Sequence, residues 1–360
     1  MYMSSITHKN VSVEKITTSK IDQVDFSNLV FGKQFTDHMF ECDYIDGSWQ
    51  NPTIKPFGNI TLSPAAKVFH YGQAVFEGMK AYKDDDNKVW LFRPLENFKR
   101  INKSSVRLAI PEFPEDFFLE GLETILNLDK DWIKKGEGNS LYIRPFVIAT
   151  ESGVAAAPAL EYKFMILLSP VQAYYKGEVK VVIAQSFSRA ADGGVGAVKA
   201  AGNYAAQFYP TNLAKEQGFE QVIWTDANEH KYLEEAGTMN VFFRINDTLI
   251  TAPNNDRILD GITRKSVISL AELKGISVEV RRITVTELIE ASKNGSLKEI
   301  FGSGTAAVIS PVSAFSYDQK VYNLPKVDDS NRFSTLFKTK LMDIQYNRSE
   351  DPFHWRHEVK

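Results

Sequence analysis

Gly193-Gly194-Val195-Gly196-Ala197-Val198-Lys199-Ala200-Ala201-Gly202-Asn203-Tyr204 is the stretch on which the reading of this chain turns. Lys199 stands among small residues, so no bulky neighbour fills the space around its amine. The segment is not a nucleotide-phosphate loop, because Val198 precedes the lysine and Ala200 follows it where that pattern needs Gly and Ser or Thr. Taken alone it reads in two ways. A surface lysine in a flexible glycine-rich turn is the commoner case. The other reading is an amine kept clear for covalent chemistry.

Two downstream segments bear on that choice: Glu234-Glu235-Ala236-Gly237-Thr238-Met239-Asn240 and Gly302-Ser303-Gly304-Thr305-Ala306-Ala307. With Lys199 they supply the parts that pyridoxal phosphate needs: a lysine for the aldehyde, a carboxylate for the ring nitrogen and donors for the phosphate. Glu235, before the turn at Gly237, is the candidate carboxylate. A carboxylate facing an apolar cavity is costly unless a cation pairs with it. Glu234 is expected to be solvated, since adjacent strand residues point to opposite faces. Leu259-Asp260-Gly261-Ile262-Thr263-Arg264 leads into a helix, whose free N–H groups at Ile262 and Thr263 suit a phosphate. Gly302 to Ala306 forms a second candidate nest, or a tight turn between strands.

The chain's 360 residues allow two domains. A net charge of −3 gives no broad basic field for nucleic acid. No apolar run is long enough to span a membrane. The only cysteine, Cys42, rules out an intrachain disulfide and fits a reducing compartment, so a cytoplasmic location is expected. Residues 1–24 lack the apolar core of a secretory signal and read as a partly ordered arm.

The pattern predicts a mixed α/β chain of the α+β class. Strands are expected at residues 44–49 into an Asp46-Gly47 turn, and at 78–83, 89–92, 141–149, 162–169 and 179–187. The acidic tip at 84–87 reads as solvated rather than as a calcium loop. Helices are expected at 94–108, 114–135, 204–217, 262–274, 284–294 and 330–346. Strands at 221–225, 232–234, 241–245 and 248–251 form a meander, followed by strands at 278–281, 299–301 and 306–309. Residues 1–170 read as the N-terminal domain, 171–178 as a linker and 179–360 as the C-terminal domain. His354 and His357 lie in a charged tail and read as solvated, so no metal site is expected.

In this order the chain also carries Val30-Phe31-Gly32, Thr36-Asp37-His38-Met39, His70-Tyr71-Gly72, Phe76-Glu77-Gly78, Phe98-Lys99-Arg100 and Tyr142-Ile143-Arg144-Pro145. With the three segments above and Gly261-Ile262-Thr263-Arg264, the ordered set resembles the branched-chain amino-acid aminotransferases of the class IV, fold-type IV pyridoxal-phosphate family. The resemblance implies a smaller N-terminal and a larger C-terminal domain with the cofactor at their interface. It implies a homodimer that exchanges the amino group of leucine, isoleucine or valine with 2-oxoglutarate in a ping-pong reaction.

It also implies roles. Lys199 is the Schiff-base lysine and proton shuttle, Glu235 meets the pyridine nitrogen and Tyr204 the ring hydroxyl. Arg100, the amides of Ile262 and Thr263, and Thr305 hold the phosphate. The amides of Thr305 and Ala306 receive the substrate carboxylate, with Thr238 beside the substrate. Phe31, Phe76, Tyr142 and Tyr174 line the side-chain pocket, with Tyr71 contributed across the dimer interface. Each of these aromatics is also compatible with core packing, Tyr174 almost equally so. Arg144 is not assigned as a direct ligand. D-amino-acid aminotransferases and aminodeoxychorismate lyases share the superfamily, and the N-terminal motifs at residues 30–39 argue for the branched-chain group. No Cys-x-x-Cys pair follows Thr305-Ala306, so thiol regulation is not expected there.

Overall fold

A computed structural model describes residues 10–172 and 177–360. The chain divides into two compact units, Met1–Tyr174 with Ile344–Lys360, and Tyr175–Asp343. The sequence reading placed the whole tail in the C-terminal domain. Its last strand, Arg356–Val359, instead pairs antiparallel with Val89–Phe92 in the first unit. His357 is therefore not a solvated tail residue: its Nε2 lies 2.7 Å from Glu123 Oε1.

The first unit is a nine-stranded sheet covered by the helices Pro94–Arg107 and Glu115–Leu128. Along the sheet run Ser12–Val13, Ser48–Pro56, His38–Ile45, Tyr162–Val171, Ser140–Ala149, Met79–Lys83, Val89–Phe92 and Arg356–Val359, with Ala74–Phe76 on Ser140–Ala149. The first hairpin turns at Asp46 (φ 53°) and Gly47 (φ 80°), both in the left-handed region that a two-residue hairpin needs. Phe98, Ile101, Phe118, Leu122 and Ile125 from the helices meet Phe40, Phe164 and Ile166 from the sheet. Gly121 allows this approach, because a Cβ there would lie 2.5 Å from the Phe40 ring.

Two expectations fail here. The second helix stops at Leu128 rather than continuing to residue 135, and the next residue, Asp129, turns inward to meet His38 Nδ1 at 2.6 Å. Asp84 is buried rather than solvated. It accepts from the amides of Asp86 and Lys88, Trp90 Nε1 and Asn347 Nδ2, so it organises the turn from inside.

The second unit is built on a ten-stranded sheet. Met239–Ile245, Leu297–Gly304, Val308–Tyr317, Val179–Ile183, Gln221–Thr225 and Tyr232–Ala236 pair in that order, and the last returns to the first, closing a barrel. Val181, Ile183, Ile223, Val241, Phe243, Ile300 and Phe315 belong to its apolar core. The meander is present, and the helices Ala201–Glu216, Ile262–Leu273 and Val285–Lys293 fall close to their expected bounds.

Candidate active site

The expected site residues divide between the units, and each set has its own geometry. In the second unit, the glycine-rich loop before the helix Ala201–Glu216 is pinned in place. Gly196 lies against Arg257: a Cβ at that position would stand 2.7 Å from the Arg257 Cα and carbonyl oxygen. The Ala197 amide donates to the Asp256 carbonyl at 2.8 Å. Asn203 Nδ2 donates to the carbonyls of Val195 and Val198 at 2.7 and 2.9 Å. Gly196 serves close approach here rather than flexibility. Lys199 projects from this anchored loop, and its Nζ lies 2.7 Å from the Tyr204 hydroxyl on the following helical turn.

Glu235 ends the strand Tyr232–Ala236 and is buried. Its Oε2 accepts from Asn240 Nδ2 at 3.0 Å and from the Leu259 amide at 3.1 Å. Its Oε1 lies 2.8 Å from Arg189 Nη2. Burial pushes the Glu235 carboxyl up to about 7, against the opposing charge of Arg189. Two donors fill Oε2 and one cation stands at Oε1, so a carboxylate with roughly four acceptor positions keeps one open. That position fits one further N–H donor, such as a protonated ring nitrogen.

Glu234, expected in solvent, is also buried. It pairs with Arg257, which also pairs with Asp192. The two glutamates take separate arginines, as alternation along a strand requires, but neither face is wet.

Asn240 links Glu235 to the candidate phosphate site. The same Nδ2 that holds Glu235 donates to the Leu259 carbonyl at 2.9 Å. Its Oδ1 lies where a Cβ on Gly261 would be, 1.8 Å away, so only glycine fits before the helix Ile262–Leu273. That helix starts at Gly261 without a side-chain cap, leaving first-turn N–H groups, including those of Ile262 and Thr263, for an external anion. Thr305 and Ala306 form the turn between Leu297–Gly304 and Val308–Tyr317. The Thr238 turn lies beside it, its carbonyl 3.2 Å from where a Gly304 Cβ would stand. Ser303 is the cross-strand neighbour of Asn240, which puts it on the Asn240 face. Its buried Oγ has no hydrogen-bond partner.

The first unit gathers the aromatic set. Phe31 packs edge-on against Tyr142 with ring centres 5.0 Å apart. The Arg144 guanidinium lies 4.7 Å from the centre of the Phe76 ring, and its Nη2 donates to the Tyr142 hydroxyl at 3.0 Å. Arg144 Nε is buried with no partner. Gly78 makes room for Tyr142, since a Cβ there would lie 2.1 Å from the phenol oxygen. Lys80, paired across the strands with Tyr142, is buried, and loss of water lowers its amine to about 8. Arg100 is buried too, with Nε and Nη2 at 2.5 and 2.9 Å from the two oxygens of Glu77. Tyr71 is 45% exposed and donates to the Val154 carbonyl at 2.5 Å. Tyr174 lies outside the described residues.

Sequence reasoning missed Arg189, Asn240, Glu77 and Ser303 as site-forming residues. Glu77, Asn240 and Ser303 stood inside quoted motifs, and the available signal was Asn240 as a lone amide between Met239 and Val241. Arg189 had no local signal, since its partner is distant in sequence.

The chain matches the amino-transferase class IV family over residues 74–315. It belongs to that family. Among curated proteins it is 45% identical to branched-chain-amino-acid aminotransferase 2 of Bacillus subtilis (strain 168), over 98% of each chain. Among solved structures it is similar to the branched-chain aminotransferase of the archaeon Thermoproteus uzoniensis with norvaline. That match has a TM-score of 0.73 and 22% identity, covering 89% of this chain and 100% of the other. It is also similar to the branched-chain amino acid aminotransferase from Thermobaculum terrenum in its PLP-form (holo-form). There the TM-score is 0.71 and identity 20%, covering 89% and 98% of the two chains.

Proposed function

We propose that this chain is a pyridoxal-phosphate-dependent branched-chain amino-acid aminotransferase, moving the amino group of L-leucine, L-isoleucine or L-valine reversibly to 2-oxoglutarate. The observation that carries the reading is the buried Glu235, with one acceptor position open, in the unit that holds the anchored Lys199–Tyr204 pair. When bound, pyridoxal phosphate supplies an aldehyde for the amino group and a ring that takes up the electrons of the cleaved Cα–H bond.

The residues do the rest. Lys199 Nζ carries the cofactor and moves the proton at the substrate Cα, while Tyr204 holds that amine in place. Glu235 accepts from the ring nitrogen. The amides of Ile262 and Thr263, the Thr305 side chain and Arg100 hold the phosphate. The amides of Thr305 and Ala306 take the substrate carboxylate, with Thr238 beside them. Phe31, Phe76 and Tyr142 favour an aliphatic side chain. Such a pocket separates single methylenes by only about 1–3 kcal/mol each, so three branched substrates are accepted together. Arg144, with its partnerless Nε, is the group in the aromatic set suited to the side-chain carboxylate of glutamate.

Exposed Phe69, Tyr71, Val154 and Leu160 on the first unit support assembly as a homodimer. No helix among the described residues is long and apolar enough to cross a membrane. With the single buried thiol of Cys42, this supports a cytoplasmic enzyme.

Glutamate formation from 2-oxoglutarate with L-leucine, L-isoleucine, L-valine or D-alanine as donor tests the proposal. The three branched L-amino acids are expected to react and D-alanine to fail. In Lys199→Ala, turnover should drop by about 10⁴-fold or more. Preference for D-alanine, or unchanged turnover in Lys199→Ala, would sink the reading.

A further inference from the structure

We infer that Arg189 is a positioning residue: it holds Glu235 as an anion, so that the proton between that carboxylate and the cofactor ring stays on the ring nitrogen. The inference deepens the function proposed above and rests on it. Glu235 meets three groups, and they are not equivalent. Asn240 Nδ2 and the Leu259 amide are neutral donors that fix Oε2. Only Arg189, at Oε1, brings a full charge into contact. Both members of that ion pair are almost sealed from water, with side chains 4% and 7% exposed, so solvent does little to screen it.

Arg189 is itself anchored. Its guanidinium donates to the Arg257 carbonyl. Arg257 is gripped by Glu234 and Asp192, and its backbone abuts Gly196 in the Lys199 loop. One brace therefore reaches both the loop that carries the lysine and the carboxylate at the other end of the cofactor. The charged neighbours of Glu235 are Arg189, Lys199, Glu234 and, on the helix Ile262–Leu273, Arg264. Burial acts most strongly on its carboxyl and favours the protonated form, and Arg189 is the largest influence against it.

A carboxylate and a pyridine nitrogen share one proton, and the weaker base gives it up. A guanidinium at Oε1 makes the carboxylate the weaker base. Without it, a buried Glu235 takes the proton and donates its O–H to a bare nitrogen. The hydrogen bond survives in both arrangements, so cofactor affinity changes little. The chemistry does not survive equally, because a ring with a bare nitrogen is a poorer electron sink.

The test is NMR of the loaded enzyme, with the cofactor's ring nitrogen isotopically labelled. Wild type and Arg189→Lys are expected to show the shift of a protonated nitrogen. Arg189→Met is expected to show that of an unprotonated nitrogen, to bind the cofactor within about tenfold of wild type, and to turn over L-leucine about 10²-fold more slowly. Arg189→Gln keeps a donor for the Arg257 carbonyl without the charge; it carries the same expectation and replaces the methionine variant if that protein does not fold. A protonated-nitrogen signal in the folded neutral variant overturns the inference, as does a folded neutral variant that no longer retains the cofactor. Neither result touches the functional reading, which fails instead if wild type binds no cofactor or ignores L-leucine.

Discussion

Among the expected site residues, Glu77 is buried against Arg100 in the first unit and Glu235 against Arg189 in the second, and these two pairs are built in opposite senses. In the first unit the Glu77 carboxylate is saturated. Arg100 donates to both oxygens, and Asn97 Nδ2 and the Gly78 amide donate to Oε2 at 2.8 and 3.0 Å. Those four donors, three at Oε2 and one at Oε1, equal a carboxylate's acceptor capacity in number, so Glu77 is taken up by its own unit. Its part is to aim Arg100, whose guanidinium carries five N–H groups. In the second unit Glu235 keeps an open position, and the arginine there conditions the glutamate. Charge pairing is the same in both; on the proposed reading, the glutamate with an open acceptor position is the one that meets the cofactor.

The sharpest way to break this comparison is to remove the saturated glutamate. Glu77→Gln leaves Arg100 buried beside a neutral amide, and taking one partner from a buried pair costs about 3–5 kcal/mol. Urea unfolding should show the unfolding free energy falling by an amount of that order, and the midpoint falling with it. A midpoint within experimental scatter of wild type would mean that Glu77 does not hold a charged Arg100, and the contrast between the two pairs would collapse.

The second glutamate should fail differently. Glu235→Gln keeps the size and removes the anion, so kcat with L-leucine is expected to fall by roughly 10²–10³-fold. Compared at a temperature where both variants are folded and loaded with cofactor, Glu77→Gln should lose far less kcat. Equal losses in the two variants would show that saturation does not separate a supporting carboxylate from an acting one.

The sequence made local features legible and left the long-range ones dark. Asp46-Gly47 announces its turn because left-handed backbone has a residue signature. The helix start at Ile262 and the stop of the Ala201–Glu216 helix before Gly218 are written in the same way. Arg356–Val359 carries no such mark. It is a short polar stretch that becomes a strand only because Val89–Phe92 offers an edge. Glu234 was misread for a related reason. Strand alternation correctly separates it from Glu235, but solvent exposure does not follow once Arg257, 23 residues away, reaches it. Lys199, Glu235 and Tyr204 could be singled out as candidates because each sits in a motif. What conditions them, namely Arg189, Asn240 and the Arg257 brace, comes from pairs the fold brings together.

The smallest effect separates the two glutamates without any substrate. Burial raises the folded-state carboxyl of Glu235 from 4.5 to about 7, so between those values the folded protein binds a proton there that the unfolded chain has released. Stability contributed by that proton is present below about pH 4.5, falls as pH rises toward about 7, and changes no further above it. The loss is on the order of 3 kcal/mol across the window. Other groups titrate over the same range, so the measurement is a difference: unfolding free energy of the cofactor-free wild type minus that of Glu235→Gln, taken from about pH 4.5 to about 8. The difference should decline with rising pH and flatten near neutrality. A flat difference throughout would mean that the apo protein already holds Glu235 as an anion. Arg189 would then outweigh burial before any cofactor arrives, and the open acceptor position would be a charged one from the start.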